Sequence, residues 1–115
     1  MYQYSYAEVL DDTPAEARER ERMALDRAIE LIEAAEARGP RSREMVEAML
    51  FVQQLWGIFL EDLASPDNGL PVPLRASLIS IGIWILKESD RIKMGTSDNL
   101  RGLVEVCEII RNGMK

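Results

Sequence analysis

The sequence of 115 residues is long enough for one domain with a hydrophobic core that needs no disulfide or metal to hold it. Twenty acidic residues against fourteen basic ones give a net charge of -6, which argues against a nucleic-acid-binding surface built from clustered Lys and Arg. The one cysteine, Cys107, excludes an intramolecular disulfide and a thiolate metal cage, and it fits a reducing compartment.

Residues Met1–Asp12 are predicted to form an N-terminal arm, because they hold three tyrosines and show little helical periodicity. The sequence does not open with a basic run followed by an apolar segment, so no signal peptide is expected. The longest apolar run, Leu78–Leu86, falls well short of the ~20 residues that span a bilayer. We therefore expect no membrane span and a cytoplasmic location.

Two long helices are predicted to follow the arm. Thr13 supplies an N-cap and Pro14 a first-turn proline, so helix one covers residues 14–38. A Gly-Pro pair ends it, and apolar residues at helical spacing predict helix two over residues 42–64.

Two further helices complete the predicted fold. The turn-rich residues 65–71 lead into helix three, residues 73–93, although Ile79–Trp84 alternates like a strand. The helical spacing extends too far for an ordinary strand, and the chain offers no second strand for pairing, so we predict a helix. Helix four covers residues 98–112. The fold class is therefore all-α, a small four-helix bundle-like single domain over residues 13–115.

No catalytic or metal-binding constellation is evident in the sequence. There is no histidine, and Glu61 and Asp62 are adjacent on a helix, so their side chains diverge by about 100°, which disfavours a paired-carboxylate site from these two alone. No phosphate-binding loop or nucleophile motif is present. We expect no enzyme activity, no cofactor and no metal.

Apolar residues exceed what one small core needs. Helix two is apolar on most of its circumference, helix four on more than half, and helix three nearly all round. Surplus apolar surface is typical of an interaction site, and a groove that takes an amphipathic helix is the expected mode. We place this groove between helices two and four, with the following apolar contacts: Phe51, Leu55, Ile58, Val106 and Ile109.

Two other groups are candidate partner contacts. Arg18 and Arg22 prolong the buried stripe of helix one; they either form a solvated face or pair with carboxylates near the helix two to helix three loop or on a partner. Tyr2 and Tyr6 of the arm either dock on the protein's own surface or contact a ligand. If the arm covers the groove when it is empty, removing the arm strengthens partner binding.

Several motifs occur together in this sequence. The two most specific are the loop from Glu61-Asp62-Leu63 to Asn68-Gly69-Leu70-Pro71 and the helical segment Leu74–Trp84. Further motifs near the N-terminus are the tyrosines from Tyr2 to Tyr6, which precede Glu8-Val9, and the charged segment Ala17–Arg22, which precedes Ala24-Leu25. Later in the chain come Arg43-Glu44, Leu55-Trp56 and the C-terminal segment Ile109–Gly113. With these marks the chain resembles, over nearly its whole length, the FlaF family of flagellar biosynthesis regulators.

The resemblance implies a cytoplasmic protein needed for flagellin production and secretion, which acts with the translational regulator FlbT and engages flagellin as an export chaperone. Flagellin's terminal segments are amphipathic and disordered before polymerisation, so a helical domain with surplus apolar surface could mask one of them. Two functions stay open: a flagellin-binding chaperone, and a regulatory adaptor that acts mainly through FlbT. The acidic balance disfavours an RNA-binding regulator, and self-association is a rival use of the apolar surface.

Overall fold

The computed structural model describes residues 13–113, which form four α-helices and no strand. The helices are α1, Pro14–Arg38; α2, Arg43–Ala64; α3, Val72–Met94; and α4, Leu100–Gly113. The all-α prediction is confirmed, and the segment that alternates like a strand lies inside α3. The predicted arm lies outside the described residues, so its boundary at residue 12 stays a prediction.

Side-chain caps set where three of the helices begin. Thr13 Oγ1 accepts a hydrogen bond from the Glu16 amide at 3.1 Å, and Pro14 follows as the first helical residue. Ser42 Oγ accepts from the Met45 amide at 3.1 Å, so α2 begins one residue after Ser42. Asn99 Oδ1 accepts from the Gly102 amide at 3.2 Å, and α4 therefore begins at Leu100 and not near Asp98 as predicted.

The helices form a ring in which each packs against two others. Each helix contacts its neighbour along the chain, and α4 closes the ring against α1. The diagonal pairs, α1 with α3 and α2 with α4, have no Cα atoms within 8 Å of each other. The α2–α3 contact is the most extensive of the four and the α3–α4 contact is the least extensive. The bundle is therefore tight on one side and loose on the side between α3 and α4.

The core contains side chains from all four helices. Its largest fully buried members are Trp56, Leu25, Ile32, Met49, Ile85 and Leu103. Gly82 brings α3 close to α2, because a Cβ at this position would lie 2.7 Å from Leu60 Cδ2 and 3.2 Å from Trp56 Cε3. The missing side chain thus allows α3 to approach α2 closely at this point.

Candidate partner-binding groove

A shallow depression opens on the side of the bundle where α3 and α4 contact each other least. It has a volume of about 300 Å³ and is lined by Ser80, Ile81 and Trp84 of α3 and by Val106 of α4. We call it the α3–α4 groove. Ile81, Trp84 and Val106 are half-buried and pack against the core, while Ser80 is exposed at the rim. Apart from Ser80, the groove thus consists of apolar side chains that the fold itself covers only in part.

Both walls of the α3–α4 groove are uncharged. No charged residue occurs in α3 between Ala76 and Leu86, a stretch of about three helical turns. On α4, uncharged residues recur at helical spacing on one face: Gly102, Val106, Ile109 and Gly113. Ile109 is 68% exposed and Leu74, in the first turn of α3, is 46% exposed. An apolar helix face is the ligand that such a groove suits, because no ionisable group would have to lose its water.

One end of the groove is fixed by a buried carboxylate. Glu88 of α3 is only 6% exposed. Its Oε2 accepts hydrogen bonds from Asn99 Nδ2 at 3.0 Å and from Ser97 Oγ at 3.3 Å, and its Oε1 pairs with Arg91 at 3.0 Å. Asn99 is also the residue that caps α4. Glu88 therefore attaches the start of α4 to α3, although the sequence interpretation did not single it out.

The structure does not bring the predicted groove residues together. Leu55 is a core residue, Phe51 is half-buried against the core, and Ile58 is 51% exposed, all on α2. Because α2 and α4 are diagonal in the ring, these three residues do not share a groove with Val106 and Ile109 of α4. Val106 instead meets α3. Hydrophobic periodicity had indicated which faces are apolar, but it does not indicate which helices become neighbours.

The remaining predicted contacts have separate positions. Tyr2 and Tyr6 lie outside the described residues. Arg18 is exposed, and Arg22 is half-buried and forms an ion pair with Glu19 within α1. Burial raises the pKa of the half-buried Glu21 carboxyl, with Asp62 of α2 as a second cause, while Arg18 and then Arg20 act in the opposite direction.

The buried polar groups of the core offer no reactive site. Burial raises the pKa of the Cys107 thiol to about 11, so the thiolate is scarce at neutral pH. Trp56 Nε1 is buried and finds no hydrogen-bond acceptor within residues 13–113, although a thiolate at Cys107 would accept from that N–H. Cys107 is accordingly a packing residue of the kind that buried free cysteines usually are.

A second depression, of about 410 Å³, is polar and joins α1 to α4. In it Arg111 donates two hydrogen bonds to the Asp26 carboxylate, at 2.9 and 3.4 Å. Across the described part of the chain, no cluster of three or more His, Cys, Asp or Glu residues could hold a metal ion. Among the same residues, no helix is both long enough and apolar enough to cross a membrane.

Comparison with known protein families gives a match over nearly the whole chain. The family model described as flagellar protein FlaF matches residues 2–114. No curated protein and no solved structure matches the chain.

Proposed function

The chain belongs to the FlaF family of flagellar proteins, and from this premise we propose that it binds flagellin in the cytoplasm as a secretion chaperone and so supports flagellin synthesis and export. The observation that carries the proposal is the α3–α4 groove, an uncharged apolar surface that the fold leaves open. The expected ligand is a terminal amphipathic segment of flagellin, seated with its apolar face against Ile81, Trp84 and Val106.

A groove of this kind suits a ligand that must be released. A flagellin segment that is disordered before binding loses conformational entropy when it folds into the groove, which lowers its affinity for a given contact area. The apolar contacts supply the favourable free energy, at about 25 cal/mol for each Å² of apolar surface removed from water. The same apolar face of flagellin would be hidden from other flagellin molecules while it is bound, which prevents premature assembly.

A titration of purified flagellin into the full chain, followed by calorimetry, tests the proposal. We expect a complex, and the absence of one at concentrations of tens of micromolar would overturn the chaperone function. FlbT is titrated separately under the same conditions. Binding of FlbT without any binding of flagellin would support the regulatory adaptor as the function in place of the chaperone.

A pair of variants locates the binding site. Ser80→Glu places a carboxylate at the exposed rim of the groove, where a docked apolar helix would have to desolvate it. We expect flagellin affinity to fall by at least about tenfold, which corresponds to about 1.4 kcal/mol. Gln54→Glu adds the same charge at an exposed position of α2 and should leave the affinity unchanged. If both variants bind flagellin as the unchanged chain does, the ligand docks elsewhere.

A further inference from the structure

A second apolar surface lies on the outward side of α2, the helix that is diagonal to α4. The stretch from Ala48 to Leu60 contains no charged side chain and spans about 20 Å of the helix. Within it Leu50 is 44% exposed and Ile58 is 51% exposed, and Gln54 between them is exposed as well. Neither Leu50 nor Ile58 belongs to the core or packs against it. The described part of the chain therefore leaves this helix face uncovered.

Gly57 belongs to the same face, and no contact among the described residues explains its missing side chain. A glycine inside a helix destabilises it relative to alanine, so it usually has a packing or functional reason. Gly82 of α3 has such a reason, because a Cβ there would lie 2.7 Å from Leu60 Cδ2. A Cβ at Gly57 would meet no described atom within 4 Å. The close approach that Gly57 allows is therefore the approach of a group from outside the described fold.

The charges at the two ends of this face are opposite in sign. One ridge along the outward side of α2 consists of residues at alternating spacings of four and three: Arg43, Glu47, Leu50, Gln54, Gly57 and Glu61. Arg43 is the first residue of α2, and Glu61 is in its last turn. A ridge with a basic start and an acidic end is complementary to a copy of itself that runs antiparallel. Charge complementarity thus selects a second copy of this chain as the partner.

From these observations we propose that two copies of the chain associate through the outward faces of α2, with the two helices antiparallel about a twofold axis. When Arg43 of each copy lies opposite Glu61 of the other, the uncharged middle parts of the two ridges meet. In this register Glu47 lies opposite Gly57, where the missing side chain leaves room for it. The inference does not depend on the proposed function.

The size of the face predicts a weak dimer. The 22 residues of α2 form a helix about 33 Å long and about 10 Å wide, so two such faces bury roughly 700 Å² in total. Stable interfaces bury about 1,200–2,000 Å², and transient ones bury less. We therefore expect a dissociation constant of about 100 µM. Because α2 is diagonal to α4, the α3–α4 groove stays open in both copies.

Sedimentation equilibrium of the full chain, at concentrations up to about 1 mM, tests the association. Leu50→Glu places a carboxylate in the uncharged part of the face, where a docked helix would desolvate it. We expect this change to weaken the dimer at least about tenfold. Ile109→Glu is the control, since Ile109 is also an exposed apolar residue outside the core but lies on α4. It should leave the dimer unchanged.

Two outcomes of this comparison would overturn the proposal. One is a chain that stays monomeric over the whole concentration range. The other is a dimer that Ile109→Glu weakens as much as Leu50→Glu does, or more, because the copies would then associate through another surface such as the α3–α4 groove.

Charge reversal tests the antiparallel arrangement. Arg43→Glu and Glu61→Arg each place like charges opposite each other twice in the dimer, so each change should weaken it several-fold. The double variant exchanges the two charges and should restore the affinity to within about twofold. The two positions are about 27 Å apart along α2, so this restoration does not arise within one chain. A double variant as weak as the single ones would overturn the antiparallel arrangement.

Gly57→Ala separates association from stability. Alanine is the better helix former and no described atom obstructs its Cβ, so the urea midpoint of the dilute chain should rise. The same methyl group fills the gap that the second copy uses, so the dimer should weaken several-fold. An unchanged dimer would contradict the proposal. A lower urea midpoint would also contradict it, because the fold itself would then fill the space beside Gly57.

Discussion

Replacement of Glu88 by alanine should loosen the α3–α4 side of the bundle more than any other single loss of charge. The Glu88 carboxylate is buried and accepts hydrogen bonds from Ser97 Oγ and Asn99 Nδ2, across the connection between the two helices. Elsewhere α3 and α4 contact each other sparsely. The position of α4, and with it the shape of the groove, therefore depends on this carboxylate.

The size of the effect follows from the partners of Glu88. A hydrogen bond to a charged group contributes about 1.5–3 kcal/mol, and loss of the carboxylate leaves the Asn99 amide without this acceptor. Arg91 is more than half exposed, so water replaces its ion pair at little cost. We expect Glu88→Ala to lower the free energy of unfolding by about 2–3 kcal/mol, which in a domain of this size lowers Tm by roughly 10 °C.

Urea unfolding of single and double variants measures this free energy. In a double-mutant cycle with Asn99→Ala, the coupling should be at least about 1.5 kcal/mol, because each change removes the same charged hydrogen bond. Asp90→Ala is the control: this exposed carboxylate, 3.6 Å from Lys93, should contribute less than about 0.5 kcal/mol. A loss below about 1 kcal/mol for Glu88→Ala, or a coupling near zero, would refute the reasoning.

Three further predictions concern stability and reactivity. Gly82→Ala should destabilise the chain by about 1 kcal/mol in the presence of Leu60 and by less in the Leu60→Ala variant, since the contact at 2.7 Å is then gone while the one at 3.2 Å with Trp56 Cε3 remains; equal losses in urea midpoint in the two backgrounds would contradict this. Burial, and as a second cause the charge of Asp62, raises the pKa of the Glu21 carboxyl. The contribution of Glu21 to the free energy of unfolding is therefore present below its ordinary pKa of 4.5 and is lost as pH rises through the pKa in the folded chain. The urea midpoint of Glu21→Gln should therefore be higher than that of the unchanged chain near neutral pH and the same as it below pH 4.5. Equal midpoints for the two proteins at both pH values would contradict this. With a thiol pKa of about 11, Cys107 should be alkylated at pH 8 at least about 100-fold more slowly in the folded chain than in urea, as measured by mass spectrometry; similar rates would mean that the thiol is not buried.

The starts of α1 and α2 and the all-α class were predictable because their causes are local. Thr13 and Ser42 are caps whose hydrogen bonds span only three residues, so the sequence pattern and the structure report the same interaction. The helical assignment of α3 rested on spacing that persists from Leu74 to Ile92, and the structure places Ile85 and Ile92 in the core as that spacing requires. Local rules were sufficient for these elements, whereas the equally local cap at Asn99 was missed and the start of α4 was placed too early.

The position of the groove was not predictable because it depends on which helices become diagonal. The wide apolar surface of α2 was interpreted as surplus, yet α2 packs against both α1 and α3 and buries seven residues in doing so. The hydrogen bond from Asn99 to Glu88 joins residues eleven apart across a connection, a contact that no helical spacing indicates. Such tertiary contacts decide where the open side of the bundle lies.

The exposed apolar residues of α3 and α4 allow function to be separated from stability. Ile109 is 68% exposed and lies three residues after the groove residue Val106, on the same side of α4 by helical spacing. Ile83 is 44% exposed on α3, about 100° around the helix from Trp84. Neither side chain belongs to the buried core, so Ile109→Gln and Ile83→Gln should each change the free energy of unfolding by no more than about 0.5 kcal/mol. Calorimetry with flagellin should show weaker binding for Ile109→Gln alone. If Ile83→Gln weakens binding instead, the outer face of α3 is the docking surface and the groove is not.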